Sequence, residues 1–106
     1  EEALKDLPGV KVDIHEGLTV DYCKAHGAKV IIRGLRAVAD YEYELAMSNM
    51  NKKLWTEVET MIVFSSPGLY FVSSNIVKEV ASLGGEIHGL VPIQVEEALR
   101  KKFAKK

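Results

Sequence analysis

The chain reads as an α/β fold, a Rossmann-like parallel sheet with flanking helices, and three observations predict it. Short apolar runs of strand length alternate with stretches of helical periodicity. The connections between them are short and carry Gly, Pro or Ser at the boundaries. The 106 residues are 47% hydrophobic and 27% charged, enough for one domain over 1–106 with a single core. The expected order is β-α-β-α-β-α-α with right-handed crossovers.

The opening Glu1-Glu2-Ala3-Leu4-Lys5 reads as the last turns of a helix, closed by Leu7-Pro8-Gly9. Residues 10–14 alternate apolar and polar, which predicts a strand. Gly17 begins a segment in which Leu18, Tyr22 and Ala25 recur at helical spacing until Gly27 stops it. Residues 29–32 are a continuous, β-branched run, expected to be a strand covered on both faces, with a loop over residues 33–39. Asp40 can cap a helix that places Tyr43, Met47, Met50 and Leu54 on one face, directed to the core or to a partner. Residues 58–64 give a third strand and residues 65–68 a loop. Ser73 or Ser74 starts a helix with Ile76, Val77, Val80 and Ala81, stopped by Gly84-Gly85, and Pro92 opens a last helix through Phe103. Three strands are few for a doubly wound sheet, so a portion before residue 1 is expected.

Composition bounds the function. Fourteen Lys and Arg against fifteen Asp and Glu leave a net charge of -1, without the basic excess that holds nucleic acid. No apolar run approaches the roughly 20 residues of a membrane span, and the acidic start is not a signal or transit peptide. The single cysteine, Cys23, excludes an internal disulfide and suits a reducing, cytoplasmic setting.

Ligands of an open parallel sheet bind beyond the carboxyl ends of its strands, and there residues 30–32 run into Arg33-Gly34-Leu35-Arg36. Two readings stand side by side. The guanidinium pair is a phosphate clamp, with Gly34 allowing close backbone approach, or it is a pair of surface arginines bound to Asp40, Glu42 and Glu44. After the next strand, Ser73-Ser74-Asn75 gathers hydroxyls and free N–H groups at a helix N-terminus, which is either an ordinary cap or an anion site. Their convergence on one sheet edge favours a nucleotide or phosphorylated metabolite. Glu42 and Glu44 serve a ribose or an arginine, or lie on a solvated face.

Other features carry less. His15, His26 and His88 are too scattered to form a metal set with Cys23. Met47, Met50 and Trp55 read as core or subunit contact. Arg100, Lys101, Lys102, Lys105 and Lys106 complement a helix C-terminus and solvate a tail.

With these residues placed, residues 30–44, from Val30-Ile31-Ile32-Arg33-Gly34-Leu35-Arg36 through Asp40-Tyr41-Glu42-Tyr43-Glu44, resemble the central signature of bacterial phosphopantetheine adenylyltransferases. The resemblance continues through Met50-Asn51, residues 71–81, Gly84-Gly85 and Val91-Pro92, nearly the whole chain. It implies a Rossmann-like nucleotidyltransferase of coenzyme A biosynthesis. Such an enzyme moves an adenylyl group from ATP to 4'-phosphopantetheine with Mg²⁺, giving dephospho-CoA and pyrophosphate, and assembles as a homohexamer. It further implies an ATP set of Gly34, Leu35, Arg36 and Glu44 with Leu69, Tyr70, Phe71, Val72, Ser73, Ser74 and Asn75. Arg33 and Thr19 fall to the phosphopantetheine side.

Two departures stand out. Asn75 replaces the last serine of a Ser-Ser-Ser triplet, and Leu69 the usual opening aromatic. The family's N-terminal Thr and His-x-Gly-His motif, with its catalytic histidine, has no counterpart in these residues. The sequence is therefore expected to be the C-terminal two-thirds, inactive alone and carrying no catalytic residue. The alternatives are a non-catalytic half-site for phosphate ligands and a self-assembling module.

Overall fold

The computed structural model describes residues 1–104, so Lys105 and Lys106 of the basic tail lie outside the described residues. Two compact units are distinguished: Ile14–Tyr70, and Glu1–Asp13 together with the chain from Phe71 onward.

In the unit Ile14–Tyr70 the elements are α1 (Thr19–His26), β1 (Val30–Leu35), α2 (Val38–Leu54) and β2 (Glu59–Phe64), followed by a 3-10 turn at Pro67–Leu69. Helix α1 ends where expected. Gly27 takes φ 67°, a left-handed conformation that closes the helix, and its N–H reaches back to the carbonyls of Cys23 and Lys24. The buried residues of α1 are Val20 and Cys23, not the Leu18, Tyr22 and Ala25 set read from the sequence.

Strands β1 and β2 pair in parallel, with Val30 opposite Glu59, Arg33 opposite Ile62 and Leu35 opposite Phe64. Helix α2 is their crossover and packs on both strands and on α1. The βαβ unit is thus β1-α2-β2, built from the second and third of the three expected strands. Arg33, Gly34 and Leu35 belong to the strand rather than to a loop, because the apolar run of β2 offers backbone partners along its whole length.

Two further expectations are corrected. Residues 10–14 form no strand: the sheet of the described residues contains β1 and β2 alone, and Ile14 is 91% exposed. Alternation marks a strand only where a neighbour takes up its backbone groups. Nor is β1 covered on both faces. Ile31 and Thr60 share the face toward α2 and are half-buried, whereas Val30, Ile32, Met61 and Val63 are all at least half exposed.

The other unit contains a 3-10 turn at Glu2–Leu4, α3 (Ser74–Ser82) and α4 (Ile93–Phe103). Ser73 caps α3, its Oγ accepting the N–H of Ile76 at 3.2 Å. Gly84 and Gly85 end that helix as expected, their N–H groups returning to the carbonyls of Ala81 and Val80. A Cβ at Gly85 would stand 2.5 Å from Val80 Cγ1, so only glycine fits there without movement. Helix α4 follows Pro92 and packs on α3 and on the Glu2–Leu4 turn. Val77, Ile87 and Glu96 are the buried residues of this unit.

Glu96, 1% exposed, is held from two sides. Its Oε2 accepts from His88 Nδ1 at 3.0 Å, and its Oε1 lies against Nη2 of Arg100 one turn along α4. Glu86 in turn accepts the backbone N–H of His88 at 2.9 Å and sits 3.5 Å from Arg100. His88, a scattered single in the sequence, is thus part of a small ionic network that fixes α4 to the preceding loop.

Candidate functional site

Parallel pairing sets the C-terminal ends of β1 and β2 at one edge of the sheet, and β1 delivers Arg33 and Arg36 there. Helix α2 meets both with carboxylates. Arg33 Nε donates to Glu44 Oε1 and Oε2 at 2.7 and 2.9 Å, and its Nη2 lies 2.6 Å from Oε1. This is a short, charge-assisted, forked contact. Arg36 is held by Asp40 through Nε at 3.1 Å, Nη2 at 3.2 Å and its own backbone N–H at 3.0 Å. Asp40 sits at the third position of α2 and also accepts the N–H of Ala37, so it secures the helix start from inside the first turn.

The two pairs differ in exposure. Glu44's side chain is 6% exposed and that of Asp40 26%, against 54% for Arg33 and 38% for Arg36. The carboxylates are the anchored partners and the guanidiniums the presented ones. Hydrogen bonds from Arg33 hold the Glu44 carboxyl below the ordinary glutamate range, and the same contact raises Arg33 further. Hydrogen bonds from Arg36 lower Asp40 likewise.

Two adjoining clefts open beside these pairs. In one, of about 180 Å³, Thr19 of α1 and Arg33 of β1 face Tyr43, Met47 and Asn51 of α2. In the other, Arg33, Gly34 and Arg36 face Asp40, Tyr43 and Glu44. Arg33 belongs to both. Leu35 lines a separate apolar hollow with Tyr41 and Phe64.

The sequence-derived candidates are thereby placed. Thr19 and Arg33 share one cleft, and Gly34, Arg36 and Glu44 share the next. Leu69 and Tyr70 close the same unit, while Phe71, Val72, Ser73, Ser74 and Asn75 lead into α3 in the other unit, with Ser73 engaged as its cap. Of the two arginine readings, the surface pairing with Asp40 and Glu44 is present, and the arginines still line the clefts.

Sequence reasoning missed the depth of Glu44 and the part of α2 in the cleft wall. Part of the signal was present: Tyr43 and Met47 belong to the face assigned to core or partner, and Asn51, four residues beyond Met47, extends them along the cleft wall. Among the described residues, no three or more His, Cys, Asp or Glu side chains converge to hold a metal ion, and the cleft's two carboxylates are committed to arginines. Mg²⁺ is ordinarily held by one or two carboxylates together with ligand phosphates rather than by an all-protein cage. No helix of the described residues is long and apolar enough to cross a membrane.

The family described as cytidylyltransferase-like matches residues 1–80. The phosphopantetheine adenylyltransferase of Bdellovibrio bacteriovorus is 56% identical over 105 residues, covering 99% of this chain and 66% of that relative. The chain thus spans just under two thirds of the length of the curated relative it matches.

Proposed function

We propose, from the premise that the chain belongs to the cytidylyltransferase-like family as a homologue of phosphopantetheine adenylyltransferase, that it serves adenylyl transfer from ATP to 4'-phosphopantetheine. The single observation that carries this reading is the pair of arginines at the end of β1, lining two adjoining clefts, each seated on its own carboxylate. Two neighbouring guanidiniums suit two phosphorylated ligands that must meet. Arg33 with Thr19 takes the phosphate end of phosphopantetheine. Gly34, Leu35 and Arg36, with Glu44 nearby and with the stretch from Leu69 through Asn75, serve ATP.

In the reaction an oxygen of the pantetheine phosphate attacks the α-phosphorus of ATP. The new P–O bond forms as the bond to the β-phosphate breaks, pyrophosphate leaves, and dephospho-CoA remains. No covalent enzyme intermediate is required, and catalysis consists of alignment and of positive charge near the transferred group. Arg33 and Arg36 supply that alignment from this chain. None of its histidines stands in a His-x-Gly-His pattern, so the 106 residues by themselves are proposed to bind ligands without turnover.

The net charge of -1 supports small phosphorylated ligands over nucleic acid or a membrane surface. A cytoplasmic, homohexameric enzyme is the corresponding proposal for location and assembly. Exposed apolar residues on α2, with Met50 56% and Leu54 45% exposed, support contact with further copies of the chain. The test is calorimetric titration of ATP and of 4'-phosphopantetheine together with an assay for pyrophosphate. Binding of both without pyrophosphate is the expected result, and binding of neither rejects the reading.

A further inference from the structure

We infer that Asp40 is a positioning residue for Arg36, setting that guanidinium toward the cleft in which ATP is proposed to bind while it secures the start of α2. The inference rests on the reading that Arg36 serves ATP, and it adds to the nucleotide side a residue that the family resemblance does not name there.

Arg36 and Ala37 alone connect β1 to α2, and both are tied to the same carboxylate. Asp40 Oδ2 accepts the backbone N–H of Arg36 at 3.0 Å, that of Ala37 at 3.3 Å and Nε of Arg36 at 3.1 Å. Its Oδ1 accepts from Nη2 at 3.2 Å. One side chain thus fixes the backbone and the head of the arginine together. The anchor continues behind it, where the carbonyl of Leu35 accepts the N–H of Ser65 at 3.0 Å and ties the end of β1 to the chain after β2. Arg36 therefore has little rotamer freedom left to lose when a phosphate arrives, which is the advantage of a preorganised donor. Its side chain is 38% exposed and lines the cleft with Gly34, Tyr43 and Glu44, so the held guanidinium is also a presented one. Asp40 lines that cleft too, but as an anion it repels the phosphates that Arg36 attracts, and its favourable route to ATP runs through Arg36. Water and salt screen that repulsion at a partly exposed carboxylate, so the orientation of Arg36 outweighs it.

The role is separable from the helix cap that accompanies it. Asp40→Asn keeps a carbonyl oxygen for the backbone N–H groups and turns an amide N–H₂ toward Nη2, donor against donor. Calorimetry with ATP and with 4'-phosphopantetheine would be run on the 106-residue protein, on Asp40→Asn, on Arg36→Ala and on the double variant. Asp40→Asn is expected to weaken ATP binding roughly fivefold and to leave phosphopantetheine affinity within about twofold. The double variant is expected to bind ATP no more weakly than Arg36→Ala. A purely structural role has a different signature: Tyr43, Met47 and Asn51 of α2 wall the phosphopantetheine cleft, so a loosened helix costs both ligands. Equal losses for the two ligands in Asp40→Asn, or losses that multiply in the double variant, overturn the positioning role. Unchanged or tighter ATP binding in Asp40→Asn beside a loss in Arg36→Ala overturns it alone. Unchanged ATP affinity in Arg36→Ala, or no ATP binding by the parent protein, overturns the site reading beneath it and the inference with it. Should Asp40→Asn fail to fold, Asp40→Ser keeps a short hydroxyl at the helix start and drops the guanidinium contacts: a roughly fivefold loss for ATP alone supports the assignment and parental affinity overturns it.

Discussion

Arg36 and Arg33 are held with different firmness, and substitutions should separate them. Asp40 keeps Arg36 near the start of α2 through an exposed pair, which contributes little to stability. Arg36→Ala is expected to weaken ATP binding by roughly tenfold while shifting the melting temperature little. Calorimetry and a thermal melt on the same sample check both halves. Acid should act through the carboxylates. Asp40, Glu44 and Glu86 all titrate below their ordinary range in the folded chain, each stabilised by hydrogen bonds from Arg36, Arg33 and the His88 N–H respectively. The unfolded chain therefore takes up protons first as pH falls. Their stabilisation is complete above the ordinary carboxylate values and disappears as pH drops below about 4.5 and through the lower folded values. Melting temperature is expected to fall with acidification in that window, and Glu44→Gln to flatten the fall. A melting temperature independent of pH there would contradict the pairing.

At the scale of elements, local chemistry was legible and long-range pairing was not. Ser73, Gly84 and Pro92 mark the ends of α3 and α4 because caps and breakers act within a turn or two. Gly27 closes α1 for the same reason. Residues 10–14 misled because alternation says nothing about whether a partner strand is at hand. Arg33 and Gly34 read as a loop because neither favours a strand, yet the pairing of β2 extends β1 through both. The burial of Glu44 escaped notice since a carboxylate on a helix reads as solvated and its partner lies eleven residues earlier. Two substitutions test the packing of α3 and α4. Gly85→Ala drives a methyl into Val80 and should destabilise the chain by about 1–3 kcal/mol. Glu96→Ala removes the buried anchor of His88 and Arg100 and should cost about 1–3 kcal/mol. Urea denaturation measures either change, and wild-type midpoints would contradict the packing described.

For the molecule as a whole, one face of the β1-β2 pair stays apolar and exposed, with Ile32 66% and Met61 55% accessible, and α2 adds Met50 and Leu54. Surfaces of this kind are seldom left to water. Sedimentation velocity is expected to show self-association that grows with concentration, and a monomer at all concentrations would contradict the proposed assembly. Fold class and family were readable from the sequence because the Arg33 to Glu44 signature is contiguous. The division into two clefts was not, since it depends on where α2 sets its side chains over the sheet.

The two arginines are proposed to serve two different phosphorylated ligands in adjoining clefts. The most direct test titrates ATP and 4'-phosphopantetheine into the protein, Arg33→Gln and Arg36→Ala. Each ligand is expected to bind on its own, with Arg36→Ala weakening ATP alone and Arg33→Gln weakening phosphopantetheine alone. Loss of both ligands in either variant, or of neither in both, would contradict it.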